Sequence, residues 1–302
     1  MSRIHDALKK AEKEKASQVS VGERPDAAAV AVDIPRSILA ASQAAEQPRY
    51  TRPSEAGPFL RFDDLAKWCT HPEWKPDTGF NLFRRVDDRA KIGTEPFRTM
   101  RSRLYQIAAA KQLKRVLVTS SVPAEGKTFV ATNLAHSIVR QPDKRVLVID
   151  GDLRAPRLHI ALGAPTSPGL TDYLRGEADE YAVIQCGPDV NLFFIPSGRP
   201  VSNPSELLSS ERMKKLLDLV APVFDWVIID SPPALPIHDA SILADLCDGV
   251  LFVVRAGETT YEIAEKGVVE FRGKNLLGIV LNQADQAEGY GDYSYDSPGN
   301  EA

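Results

Sequence analysis

Residues 115–128 read RVLVTSSVPAEGKT, and the order in which residue types change along them decides the fold. Val116, Leu117 and Val118 form an apolar, β-branched run that breaks into small residues and a proline. The chain then reaches Gly126-Lys127-Thr128 and the amphipathic run FVATNLAHSIV. That order predicts strand, phosphate loop, helix. In such a loop successive backbone N–H groups cradle phosphate oxygens, and the following helix aims its positive end at them. Lys127 reaches the outer phosphates and Thr128 offers a hydroxyl to Mg²⁺. Ser121 stands where the G-x-x-x-x-G-K-[ST] pattern has its first glycine. A glycine turn before an ordinary helix has a similar sequence, but the strand before and the helix after are the context the motif requires.

Outward from this stretch the pattern is regular. A helix is expected over 95–112 and another over 127–140, with the strand RVLVID ending at Asp150. NLFFIP, WVIID, GVLFVV and LGIVL follow as further short, nearly all-apolar runs separated by helical segments. Such alternation predicts an α/β fold with a doubly wound, mainly parallel sheet covered by helices on both faces. The domain is expected over 91–286, with its ligand at the carboxyl ends of the strands.

Two more motifs end strands and converge on that edge. In VLVIDGDLR, Asp150 and Asp152 are two apart, which in an extended chain puts both carboxylates on one side. In WVIIDSPP, Asp230 closes an apolar strand as a Walker B aspartate does. Carboxylates so placed hold Mg²⁺, and one of them accepts a proton from an attacking hydroxyl. Any one alone reads as a strand-end turn or a helix cap. Three together with Gly126-Lys127-Thr128 read as a phosphoryl-transfer site.

Composition bounds the rest. The 302 residues are 43% hydrophobic and 26% charged, enough to bury a core, and the net charge of −4 argues against nucleic acid as a partner. No apolar run reaches the ~18–20 residues that span a bilayer, and the amino terminus lacks a secretory apolar region, so a cytoplasmic protein is expected. Cys69, Cys186 and Cys247 are odd in number and far apart, which fits reduced thiols better than a disulfide or a zinc site; the five histidines show no ligand spacing. Residues 1–16 contain a short amphipathic helix with Ile4, Ala7, Leu8 and Ala11 on one face. Residues 17–57, rich in Ala, Pro, Ser, Gln and Glu, read as a disordered linker. The aromatics of 58–90 (Phe62, Trp68, Trp74, Phe80, Phe83) imply packing against the domain or a partner. Residues 287–302 are a flexible acidic tail carrying Tyr290, Tyr293 and Tyr295.

From Glu95 to Gln283 the sequence resembles the bacterial tyrosine kinases (BY-kinases) of exopolysaccharide and capsule export, relatives of the MinD- and ParA-like P-loop ATPases. The family's Walker A matches Ser121–Thr128, with Ala124 where a glycine is usual. Its Walker A′ matches Asp150-Gly151-Asp152-Leu153-Arg154, and its Walker B Asp230-Ser231-Pro232-Pro233. GRPVSNPSELL is similar to the family's loop between a sheet strand and the next helix. The resemblance implies an ATP- and Mg²⁺-dependent protein tyrosine autokinase. Lys127, Asp150 and Asp152 would be catalytic, with Asp150 the favoured base, and Thr128, Asp152 and Asp230 would hold the metal. Ser121, Ala124, Glu125, Gly126, Lys127, Thr128, Phe129, Arg154 and Asn282 would contact nucleotide. Glu95-x-x-Arg98-x-x-Arg101 resembles the motif through which subunits form a ring, although spacing alone fits a solvated charged stripe equally well. Tyr290, Tyr293 and Tyr295 match the tyrosine cluster phosphorylated by a neighbouring subunit. A membrane co-polymerase that activates the kinase and recruits it to the inner face of the membrane, and a tyrosine phosphatase that resets it, complete the implied partners. The alternatives are an ATPase switch of the MinD or ParA type and a nucleotide-gated scaffold. The tyrosine cluster favours the kinase, as does Ser121-Val122-Pro123 where those switches carry an extra lysine.

Overall fold

The computed structural model describes residues 60–189 and 191–284. The amino-terminal helix, the linker and the tail tyrosines all lie outside the described residues. Seven strands form one sheet: β1 (Arg115–Ser120), β2 (Val146–Asp150), β3 (Gln185–Cys186), β4 (Leu192–Ile195), β5 (Trp226–Asp230), β6 (Gly249–Arg255) and β7 (Leu276–Asn282). Their order is β3-β4-β2-β5-β1-β6-β7, parallel throughout except for the antiparallel β3–β4 pair. The sheet is thus the doubly wound, mainly parallel one that the apolar runs predict.

Alternation along the strands divides the core in two. Val116, Val118, Val146, Val148 and Ile228 point to one face, where they meet Val130, Leu134 and Ile138 of α3 (Lys127–Val139). Leu117, Leu147, Ile149, Val227 and Ile229 point to the other, against Leu216 and Leu217 of α8 (Glu211–Val220) and Leu243 of α9 (Asp239–Asp245). In α8 the buried positions Met213, Leu216, Leu217 and Val220 repeat at helical spacing, and Ser210 caps the helix by accepting from the Met213 N–H.

Helix α2 spans Asp88–Ala110, starting well before the expected residue 95. Pro96 is a natural first-turn residue, which is why a start at 95 fits the sequence. In the structure the helix continues back through Gly93, and the proline simply forgoes one bond to the carbonyl four residues earlier.

The aromatic segment wraps the edge of the sheet. Helix α1 (Phe62–Trp68) lies on one face, with Phe62 edge-on to Phe193 at 5.8 Å; Trp74 lies on the other, edge-on to Phe194 at 5.9 Å. Phe193 and Phe194 are neighbours in β4 and therefore point to opposite faces. The chain crosses between them at Thr70, which bridges Gln185 of edge strand β3. At this crossing Cys69 and Cys186 form a disulfide, and His71 Nε2 lies 3.7 Å from Cys69 Sγ. This corrects the expectation of reduced, separate thiols: the two cysteines are 117 residues apart in sequence, and only the wrapping brings them together. Cys247 is free, as expected.

Candidate active site

The loop between β1 and α3 is held from below by its own side chains. Ser120 Oγ donates to the Val122 carbonyl at 2.9 Å, and the Glu125 carboxylate accepts from the Val122 N–H at 2.8 Å. Glu125 is almost fully buried and also accepts from Thr259 Oγ1 at 2.6 Å, so it turns away from the place where phosphates would sit. Gly126 has φ +94°, and a Cβ there would lie 1.9 Å from Asn282 Nδ2, so the position requires glycine. Asn282 in turn donates to the Glu125 carbonyl at 2.9 Å. Ala124 takes φ +64° where the family pattern has glycine, a left-handed conformation that costs an alanine about 1–2 kcal/mol.

Beneath the loop two strand ends meet. Asp150 and Asp230 are register partners on β2 and β5, and both are buried. Thr128 Oγ1 donates to Asp230 Oδ2 at 2.6 Å, while the buried Asp230 Oδ1 has no hydrogen-bond partner among the described residues. Asp150 accepts from the N–H groups of Asp152 at 3.3 Å and Leu158 at 3.2 Å. Burial, then the charges of Asp230 and Asp152, push the Asp150 carboxyl well above the ordinary carboxylate range. Burial likewise raises Asp230 to about 7, against the opposing pull of Lys127 and the Thr128 hydroxyl. An unpartnered buried carboxylate oxygen beside a hydroxyl and two more carboxylates is a donor set of hard oxygens that fits Mg²⁺.

Above the carboxylates opens a cleft of about 730 Å³. Of the expected residues, Ala124, Gly126, Lys127, Thr128, Phe129, Asp152 and Asn282 line it. Asp150 and Asp230 lie under its floor, so Asp152 is the one of the three carboxylates that borders the opening. Ser121 is buried behind the loop against Gly267 of α10 (Tyr261–Val269). Arg154 is engaged elsewhere, pairing with the buried Asp239 at 2.7 Å and with Ser205 at 3.0 Å. Arg157 and Phe80 also line the cleft, and the sequence reading missed both. The guanidinium of Arg157 has no ion pair or hydrogen bond among the described residues. Its signal was its place just beyond the strand-end motif, seven residues after Asp150. Phe80 had no positional signal, because no periodicity links it to the loop.

On α2, Arg98 pairs with Glu95 on the exposed face of the same helix. Arg101 is half-buried and donates to the Ser137 carbonyl in the last turn of α3.

A phosphate loop between strand and helix, with paired strand-end carboxylates below it, defines a P-loop nucleotide-binding domain. A family model described as an AAA domain matches residues 124–271. The tyrosine-protein kinase YwqD of Bacillus subtilis (strain 168) is 36% identical over 193 residues, covering 63% of this chain and 81% of that protein. The tyrosine-protein kinase CpsD of Streptococcus agalactiae is 35% identical over 210 residues, covering 68% and 90%. The solved kinase domain of the Escherichia coli tyrosine kinase ETK superposes with a TM-score of 0.59 at 32% identity, covering 66% of this chain and 80% of that one. The chain belongs to the bacterial tyrosine-protein kinases. Among the described residues no helix is long and apolar enough to cross a membrane.

Proposed function

We propose that this tyrosine kinase transfers the γ-phosphoryl group of ATP to Tyr290, Tyr293 and Tyr295 of a neighbouring copy, and that the modification regulates polysaccharide synthesis and export. The observation that carries the reading is the convergence of Lys127, Thr128 and Asp152 on one cleft, with Asp230 hydrogen-bonded to Thr128 and register-paired with Asp150.

Lys127 and Arg157 border the cleft as cations and offset the charge of the outer phosphates, where phosphoryl transfer needs it most. Thr128, Asp152 and Asp230 would hold Mg²⁺, which would draw charge from the phosphate oxygens. As the phenol oxygen bonds to the γ-phosphorus, the bond to the bridging oxygen of ADP breaks and the phenolic proton passes to Asp150. Burial and its acidic neighbours favour the protonated form of that carboxyl, so Asp150 would act as base only once the cations of the cleft and bound Mg²⁺ draw it to its ionised form. The Asn282 amide, at the end of β7, faces the same cleft and is assigned to the nucleobase. Residues 91–286 make up the kinase domain. The stripe Glu95, Arg98, Arg101 joins subunits in a ring, a membrane co-polymerase recruits and activates the kinase at the inner membrane face, and a tyrosine phosphatase resets it.

Incubation with γ-labelled ATP and Mg²⁺ followed by phosphoamino-acid analysis tests the reading. Phosphotyrosine is expected from the parent and none from Lys127→Met, whose circular dichroism should match the parent because the lysine faces the cleft. Release of inorganic phosphate without phosphotyrosine would restore the ATPase-switch reading.

A further inference from the structure

Phe80 lies outside the phosphate-loop motifs, in the segment that wraps the sheet edge, yet it borders the nucleotide cleft. Its surroundings distinguish it from the other aromatics of that segment. Trp74 is in the core, and Leu82 and Phe83 pack against it; among the described residues Phe80 belongs to neither hydrophobic cluster, although its ring is half-buried. Phe129, the other aromatic residue at the cleft, is already edge-on to Phe97 at 5.9 Å. Phe80 has no such ring partner among the described residues.

The backbone around Phe80 is fixed with unusual care for an irregular segment. Asp77 turns the chain, accepting from the Gly79 N–H at 2.7 Å through its side chain and from the Phe80 N–H at 3.1 Å through its carbonyl. Asn133 of α3 then grips both sides of the tip: its Nδ2 donates to the Phe80 carbonyl at 2.7 Å and its Oδ1 accepts from the Leu82 N–H at 2.9 Å. Asn81 donates to His136 Nε2 at 2.7 Å, and His136 Nδ1 faces Asp189 at 3.3 Å. Asn81, Asn133 and His136 are all essentially buried. Buried amides and imidazoles are costly unless fully paired, so this clasp specifies one position for the tip. Asn133 also donates to the Phe129 carbonyl at 2.9 Å, which locates the tip beside the first turn of the helix that follows the phosphate loop.

We propose that Phe80 is a nucleotide-positioning residue, whose ring face stacks on the nucleobase while Lys127 and Thr128 hold the phosphates. This rests on the ATP-binding reading of the cleft and adds to it a wall supplied from outside the phosphate-loop motifs. Asn81, Asn133 and His136 act through it as positioning residues. Stacking on an aromatic ring recognises the flat base and is indifferent to the phosphate chain, so the two ends of the ligand separate the roles.

Isothermal titration of the full chain with Mg²⁺ and either a non-hydrolysable ATP analogue or inorganic tripolyphosphate tests the proposal. Phe80→Ala should bind the analogue about tenfold more weakly and tripolyphosphate within about twofold of the parent, and Phe80→Tyr should restore the difference. Unchanged affinity for the analogue, or equal losses for both ligands, overturns the proposal. If the alanine variant does not fold, Phe80→Leu, which keeps bulk without a flat ring, must still bind the analogue more weakly than Phe80→Tyr; equal affinities overturn it. A parent that binds tripolyphosphate and not the analogue would sink the nucleotide reading itself, which keeps the two failures apart.

Discussion

Asp230 couples the chemistry of the site to the stability of the fold. Its carboxyl is raised from 3.8 to about 7, mainly by burial. Between those values Asp230 holds a proton in the folded chain that it has lost in the unfolded chain, so its own contribution to stability falls as pH rises from about 4 to about 7 and changes little above. Asp230→Asn removes the buried charge and keeps an oxygen for the Thr128 hydroxyl. Without nucleotide or Mg²⁺ the variant should be more stable than the parent at pH 8, by up to ~4 kcal/mol, and nearly equal to it at pH 4, while losing kinase activity. Denaturant midpoints at the two pH values check this; an equal shift at both would show that the carboxylate charge is not the cause. Asp150, Asp152 and Asp230 were all legible as strand-end carboxylates. Which of them borders the cleft was not, because that depends on how deep each strand end sits beneath the loop.

The elements that position these residues were legible where periodicity is strong. Six of the strands are built on short, nearly all-apolar runs, whereas β3 has only Gln185 and Cys186 and pairs antiparallel with the edge of β4. Helix α2 carries the stripe proposed for assembly, and the structure splits its two arginines. Arg98 is exposed and paired within its own helix, so Arg98→Ala should change stability by no more than about 0.5 kcal/mol. Arg101 donates to a carbonyl at the end of α3, and Arg101→Ala should cost about 1–3 kcal/mol. If the stripe joins subunits, Arg98→Ala should also lower the mass measured by light scattering at matched salt and concentration. A variant of unchanged mass would leave the stripe as a solvated helix face.

At the scale of the whole molecule the issue is how a tail tyrosine meets a cleft. Gln283 borders the cleft, and Tyr290 is seven residues further on, a reach of at most ~25 Å when extended. That distance leaves a chain's own cleft within range, so transfer between copies has to be shown. Mixing Lys127→Met, which keeps the tyrosines, with a variant carrying phenylalanine at 290, 293 and 295, which keeps the cleft, separates the cases. Transfer between copies should label the lysine variant; absence of label in the mixture, when the parent labels itself, would mean the reaction runs within one chain. Each phosphate adds ~1.5–2 negative charges to a tail already holding Glu288, Asp292, Asp296 and Glu301. Phosphorylation should therefore drive the tail from a cleft bordered by Asp152, with Asp150 and Asp230 buried beneath it.

The sequence by itself determined the parallel sheet, the phosphate loop and the carboxylates at its strand ends. Each of these is a local pattern: an apolar run, a glycine where a positive φ is needed, a charge at the end of a strand. Only the tertiary structure decided that the aromatic segment wraps the sheet edge, that Cys69 meets Cys186, that Arg154 turns to Asp239 while Arg157 lines the cleft, and that Phe80 stands beside the loop. Those contacts join residues far apart in sequence. Their partners are set by the order in which the strands lie in the sheet, and no periodicity along the chain records that order.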